Sequence, residues 1–224
     1  MKYMFYLALL LLAGCAVTTT QQCQLPDEKV RSSVVRITAL DGSTASGVII
    51  AKNRVLTVAH AVEDATSAMV EVDGKFQVAT VLGTDTENDL ALLSVATSEL
   101  APMPVSRTLL RESEAVWAIG YPLALEQKMS LGLYQNMFNG RLYTSAHINS
   151  GSSGGGLLRC QAGNFELAGV VHGYVAQRAG TNYVNIGDST SVPARKIKDF
   201  VSLVDKKLPP YRDTATLALQ AAAN

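Results

Sequence analysis

The chain has 224 residues, with 19 Lys plus Arg balanced by 19 Asp plus Glu, so it is neutral overall at pH 7. No field of one sign argues for a nucleic-acid partner or an acidic surface. Its three histidines and three cysteines show no clustered metal-ligand spacing, and no phosphate-cradling loop occurs, so no metal or cofactor is expected.

Lys2 opens the chain and an apolar run follows through Leu12 to Leu12-Ala13-Gly14-Cys15. That run is short for a permanent membrane helix and suits a signal peptide over residues 1–14; an uncleaved N-terminal anchor is the alternative. Leu-Ala-Gly-Cys resembles the lipobox of bacterial lipoproteins. That resemblance implies cleavage before Cys15 and acylation of Cys15, with more than one chain to hold it stably on a membrane. Ala16 then implies the outer membrane of a Gram-negative envelope, with the protein facing the periplasm. Residues 15–30 are polar and read as a tether. Lipidation of Cys15 leaves Cys23 and Cys160. An even pair in an oxidising compartment suits a disulfide between the arm and the body; two independent thiols fit the count as well.

From residue 31 the pattern turns to short apolar or alternating runs. They are Val34–Leu40, Gly47–Ala51, Val55–Val58, Met69–Val72, Phe76–Leu82, Leu90–Val95 and Ala115–Ile119. A second set comprises Leu131–Tyr134, Gly140–Ser145, Gly156–Arg159, Phe165–Val171 and Tyr183–Ile186. Turn residues such as Asp41-Gly42 and Asp73-Gly74 separate them, and no alternating βα pattern appears. Two packed antiparallel barrels of about six strands are expected, spanning about 31–100 and 112–190, inside an all-β domain of 31–206. Near its end Pro193 precedes Ile197, Phe200, Val201 and Val204 at helical spacing, which predicts a C-terminal helix. Residues 207–224 are expected to be a loose tail.

Gly151-Ser152-Ser153-Gly154-Gly155 can present a hydroxyl on a tight turn and aim main-chain N–H groups at a developing oxyanion. A serine needs a base to take its proton. The esterase order of Ser, acid, His fails, because only Glu166 lies between Ser153 and His172 and no strand–turn–helix surrounds the serine. The subtilisin order could use Asp41, but a strand-rich chain opposes that fold. His60 ends a run and Asp89 opens another, so His60, Asp89 and Ser153 stand in the chymotrypsin order. Singly, each also reads as an ordinary strand-end, turn or loop residue.

Several stretches together resemble the trypsin-like peptidases of the HtrA/Deg group, and more loosely the glutamyl endopeptidases. They are Ser46–Ile50, Thr57–Val62, Asn88–Leu92, Ala118–Pro122 and Ile148–Gly155. The resemblance implies two six-stranded barrels with the site between them, and a polypeptide substrate. His60 is then the base, Asp89 its orienting carboxylate and Ser153 the nucleophile, with the N–H groups of Gly151 and Ser153 as oxyanion hole. HtrA proteins usually carry PDZ domains after the protease, and no length for one is expected here. Ser152 stands where digestive trypsins place the Asp that receives a freed N-terminus, so zymogen cleavage is not expected. The floor of the primary pocket falls on His147 and its wall on Val170–Tyr174, with His172. Two imidazoles there would favour an acidic side chain. The alternative has His172 bonded near Asp89 and His147 facing solvent. The expected function is a membrane-tethered serine endopeptidase; the rival is a catalytically silent, protease-like lipoprotein that binds partners. Oligomeric state and natural substrate are not readable.

Overall fold

The computed structural model describes residues 23–97 and 99–208. The expected signal peptide, Cys15 and nearly all of the expected tail lie outside them.

Tight turns set the course of the chain. Asp73-Gly74, Asn139-Gly140 and Ala162-Gly163 each place two consecutive residues at positive φ, which suits two-residue hairpin loops in twisted antiparallel ribbons. The first six strands are β1 (Val34–Thr38), β2 (Thr44–Ala51), β3 (Arg54–Thr57), β4 (Ser67–Val72), β5 (Lys75–Asp85) and β6 (Leu90–Ser94). They close into a barrel in the order β1-β2-β3-β6-β5-β4, with β4 returning to pair with β1 through Arg36↔Glu71. The second six are β7 (Ala115–Gly120), β8 (Lys128–Phe138), β9 (Arg141–Thr144), β10 (Gly156–Gln161), β11 (Asn164–Ala179) and β12 (Asn182–Pro193). They form a second closed barrel in the order β10-β11-β12-β9-β8-β7. Alternation fills each barrel: Ile37, Val48, Val55, Leu56, Val70 and Leu92 are fully buried in the first, and Val116, Leu142, Leu157 and Val171 pack the second.

Two strands run far beyond the apolar stretches that mark them in sequence. β11 continues from Val171 to Ala179 and β12 extends on both sides of Tyr183–Ile186, so the hairpin projects past the barrel with Tyr183, Val184 and Ile186 exposed. Apolar alternation marks only the packed part of a strand, because a projecting ribbon has no core to face. Gly140 belongs to a turn, not to β9. The segment read as tether also differs in its last part. Asp27 caps a short helix, α1 (Glu28–Arg31), by accepting the Val30 N–H, and Cys23 is joined to Cys160 of β10 by a disulfide.

Arg159 organises the crossing between barrels. It is 3% exposed, its Nη1 donates to the carbonyls of Thr108 and Leu109 and to Thr108 Oγ1, and its Nη2 pairs with Glu114 at 2.7 Å. The C-terminal helix α2 (Ala194–Lys207) buries Ala194, Ile197, Phe200 and Val204 and touches β5 and β6 as well as β11 and β12, so it packs on both barrels. No helix among the described residues is long and apolar enough to cross a membrane.

Candidate active site

His60 sits in a 3-10 turn, Ala59–Ala61, that follows directly on β3. Asp89 precedes β6 in a left-handed conformation, φ 58°, at the end of a turn held by Asn88 donating from its main-chain N–H and side-chain amide to Asp85. The Asn88 carbonyl in turn accepts from Arg141 of β9 at 2.9 Å, so the second barrel fixes the height of Asp89 at the junction. Asp89 is 8% exposed. Its Oδ1 accepts the main-chain N–H of His60 at 2.9 Å, and its Oδ2 lies 2.9 Å from His60 Nδ1.

A third group meets the same carboxylate. His172 Nδ1 lies 2.6 Å from Asp89 Oδ2, and the two imidazoles stand nearly perpendicular with centroids 5.8 Å apart. Both Nδ1 atoms donate to the one oxygen, since the ionised carboxylate only accepts. Burial pushes the Asp89 carboxyl up, but the bonds from His172 and His60 outweigh it and hold it well below the usual carboxylate range.

Ser153 lies in the loop between β9 and β10, and this loop is braced against the first barrel. Ser46 of β2 donates its N–H to the Ser153 carbonyl at 2.8 Å and its hydroxyl to the Gly151 carbonyl at 2.8 Å, and it accepts the Tyr121 N–H. The barrels approach so closely here that a Cβ on Gly154 would fall 2.0 Å from the Ser46 carbonyl oxygen. Ser153 Oγ donates to the main-chain carbonyl of His172 at 3.0 Å, not to the His60 ring. The Ser150 carbonyl accepts the Leu123 N–H at 2.7 Å. Because that peptide is trans, the Gly151 N–H points the opposite way. Among the described residues no protein acceptor takes the N–H of Gly151 or of Ser153.

The two remaining histidines of the sequence reading separate. His147 is exposed and lines a cavity of about 250 Å³ with Lys128, Met129, Ser130, Asn149 and Ser152. His172 does not line it. The register of β11 against β12 slips between Val171 and Gly173, so His172 is the extra residue of a bulge, and a bulge re-aims a side chain that strict alternation would place elsewhere. Ser46 and Arg141 are the bracing residues that spacing alone did not mark, because both act through main-chain carbonyls far away in sequence.

Two closed six-stranded barrels, with His60 bonded to Asp89 and the Ser153 loop braced on the first barrel, define a chymotrypsin-type peptidase scaffold. Residues 45–170 match the family described as trypsin-like peptidase domain; the match covers more than half of the chain, and the chain belongs to that family. It is 30% identical over 171 residues to the periplasmic serine endoprotease DegP of Salmonella typhimurium, covering 70% of this chain and 34% of that one. It is 31% identical over 179 residues to the mitochondrial serine protease HTRA2 of Drosophila ananassae, covering 72% and 39%. Among solved structures, the serine endoprotease from Yersinia pestis aligns with a TM-score of 0.67 at 25% identity, over 82% of this chain and 69% of that one. The chain therefore spans about a third of the length of the DegP relative.

Proposed function

We propose that the protein is a serine endopeptidase that cleaves polypeptides through an acyl-enzyme, with Ser153 as nucleophile, His60 as general base and Asp89 as its orienting carboxylate. The observation that carries this reading is the pair of bonds from His60 to Asp89. Main-chain N–H to Oδ1 and Nδ1 to Oδ2 together hold the imidazole in one tautomer, with Nε2 free to accept a proton.

Catalysis starts when the Ser153 hydroxyl turns from the His172 carbonyl to His60 Nε2. The base takes the proton as Oγ attacks the scissile carbonyl, and the N–H groups of Gly151 and Ser153, left without protein acceptors, receive the oxyanion. Such a donor is worth about 2.7–4 kcal/mol. Collapse of the tetrahedral species returns the proton from His60 to the leaving amine, and water then repeats the sequence on the acyl-enzyme. His172 supports the same step through Asp89, since it supplies a further N–H to the carboxylate that faces the imidazolium.

His147, with Lys128 beside it in the cavity, is consistent with an acidic side chain in the primary pocket. The leader and Cys15 support export and a lipid anchor at the envelope, and the periplasmic relative fits that compartment. A second reading has one observation in its favour. The nucleophile donates to a main-chain carbonyl and not to the base, as in a silent scaffold that binds partners.

A fluorophosphonate probe separates the two. Labelling of the parent and not of Ser153→Ala, with both equally folded, supports the peptidase, and cut sites in a peptide library then report the pocket. A folded parent that does not label would sink it in favour of the silent scaffold. Cleavage after Leu or Arg as good as after Glu would end the acidic preference.

A further inference from the structure

One carboxylate oxygen with an imidazole nitrogen on each side is an arrangement that two protons and one metal ion can both satisfy. His60 Nδ1, Asp89 Oδ2 and His172 Nδ1 lie within 4.8 Å of one another, with Oδ2 at 2.9 and 2.6 Å from the two nitrogens. We propose that His60, Asp89 and His172 form a site for a divalent transition-metal ion, zinc foremost, whose occupancy switches the peptidase off. The inhibitory part rests on His60 being the base; the binding part does not.

The donor set selects the ion. Two neutral imidazole nitrogens and a carboxylate suit zinc and its neighbours, whereas calcium and magnesium take oxygen shells. Three protein ligands leave a fourth tetrahedral position for water. Metal bonds of about 2.0–2.2 Å separate tetrahedral donors by about 3.3 Å, so the nitrogens and Oδ2 have only to spread from their hydrogen-bonded distances as the carboxylate turns. An outer contact is in place, since the His60 main-chain N–H holds Asp89 Oδ1, the kind of bond that orients a ligating carboxylate. Entry is open as well, because the side chains of His60 and His172 are 50% and 37% exposed.

The inhibitory consequence follows from the tautomers. Each neutral ring carries one proton, now on Nδ1 where it faces Asp89. A metal on Nδ1 sends that proton through water to Nε2, so no charge is lost from the rings. His60 Nε2 then bears a hydrogen and cannot accept the Ser153 proton. A His–Asp pair alone would be a poor trap for zinc. The bulge that turns His172 onto Asp89 supplies the missing donor, and positions 60, 89 and 172 are too far apart in sequence to show it.

Cobalt(II) is the spectroscopic probe, titrated into the full chain in metal-free buffer. The expected result is one equivalent bound with the visible bands of a four-coordinate site, displaced by zinc, in the parent and in Ser153→Ala alike. Zinc should inhibit the parent, and His172→Gln should abolish the bands and raise the half-inhibiting zinc concentration at least tenfold, read against that variant's own zinc-free labelling rate. Should His172→Gln fail to fold, the imidazole nitrogen spectrum of the parent decides. The chain has three histidines, and zinc must shift two of them and leave His147 in place. Absent bands in a parent that labels, or unaltered zinc sensitivity in a folded His172→Gln, overturn the site. Bands in a parent that never labels keep the site and overturn the peptidase reading with its inhibition.

Discussion

Asp89 is where the single-residue energetics concentrate. Its folded pKa lies below an unfolded value of about 3.9, so its bonds contribute stability above about pH 4 and lose it as the pH falls toward the folded value. Asp89→Asn should therefore be less stable than the parent at pH 6, with the gap in urea midpoint narrowing below pH 4. A gap independent of pH would show that the carboxylate charge is not the source. The same change aims an amide N–H at His60 Nδ1 and imposes the wrong tautomer, so kcat should drop about 10⁴-fold. Gly154 makes a second test. At φ 85° with no room for a Cβ, Gly154→Ala should cost about 1–3 kcal/mol from backbone strain and displace Ser153, read as a lower Tm and lost probe labelling. The pairing of His60 with Asp89 was legible because the runs that flank both residues are local signals. The contact of His172 with Asp89 is one of two placements that the sequence allows, because face alternation cannot register a one-residue bulge.

Among the elements, α2 is the one that packs on strands of both barrels. Phe200 is 4% exposed in a helix that contacts strands of both barrels, and Val204 sits over Gly83 where a Cβ would come within 2.9 Å of it. Phe200→Ala should cost about 3–5 kcal/mol by leaving a cavity at that seam, measured by chemical denaturation. A loss under 1 kcal/mol would show that the helix is a loosely held appendage. The helix was legible from its spacing, and the twelve strands from apolar runs between turn residues. What periodicity could not supply was extent. β8 runs over Lys128–Phe138 with Leu131 and Leu133 exposed, and the β11–β12 ribbon outlasts its core. Both depend on pairing partners distant in sequence, to which a local pattern is blind.

At the scale of the whole molecule, the Cys23–Cys160 bond closes a loop with a sequence separation of 137 and pins the arm to the second barrel, with all six strands of the first barrel inside that loop. Cross-linking so long a loop removes conformations mainly from the unfolded ensemble, worth about 2–5 kcal/mol. The bond also lies at the end of β10 away from Ser153, since Gly156 begins that strand and Cys160 is its fifth residue. A rise of about 3.3 Å per residue puts roughly 13 Å between the two ends. Stability and activity should therefore separate. Cys23→Ser with Cys160→Ser should lower the unfolding free energy by that amount, yet label at Ser153 as fast as the parent well below its Tm. Parallel loss of labelling and stability would mean that the arm shapes the catalytic loop directly. Retention of both would mean that the barrels close without it.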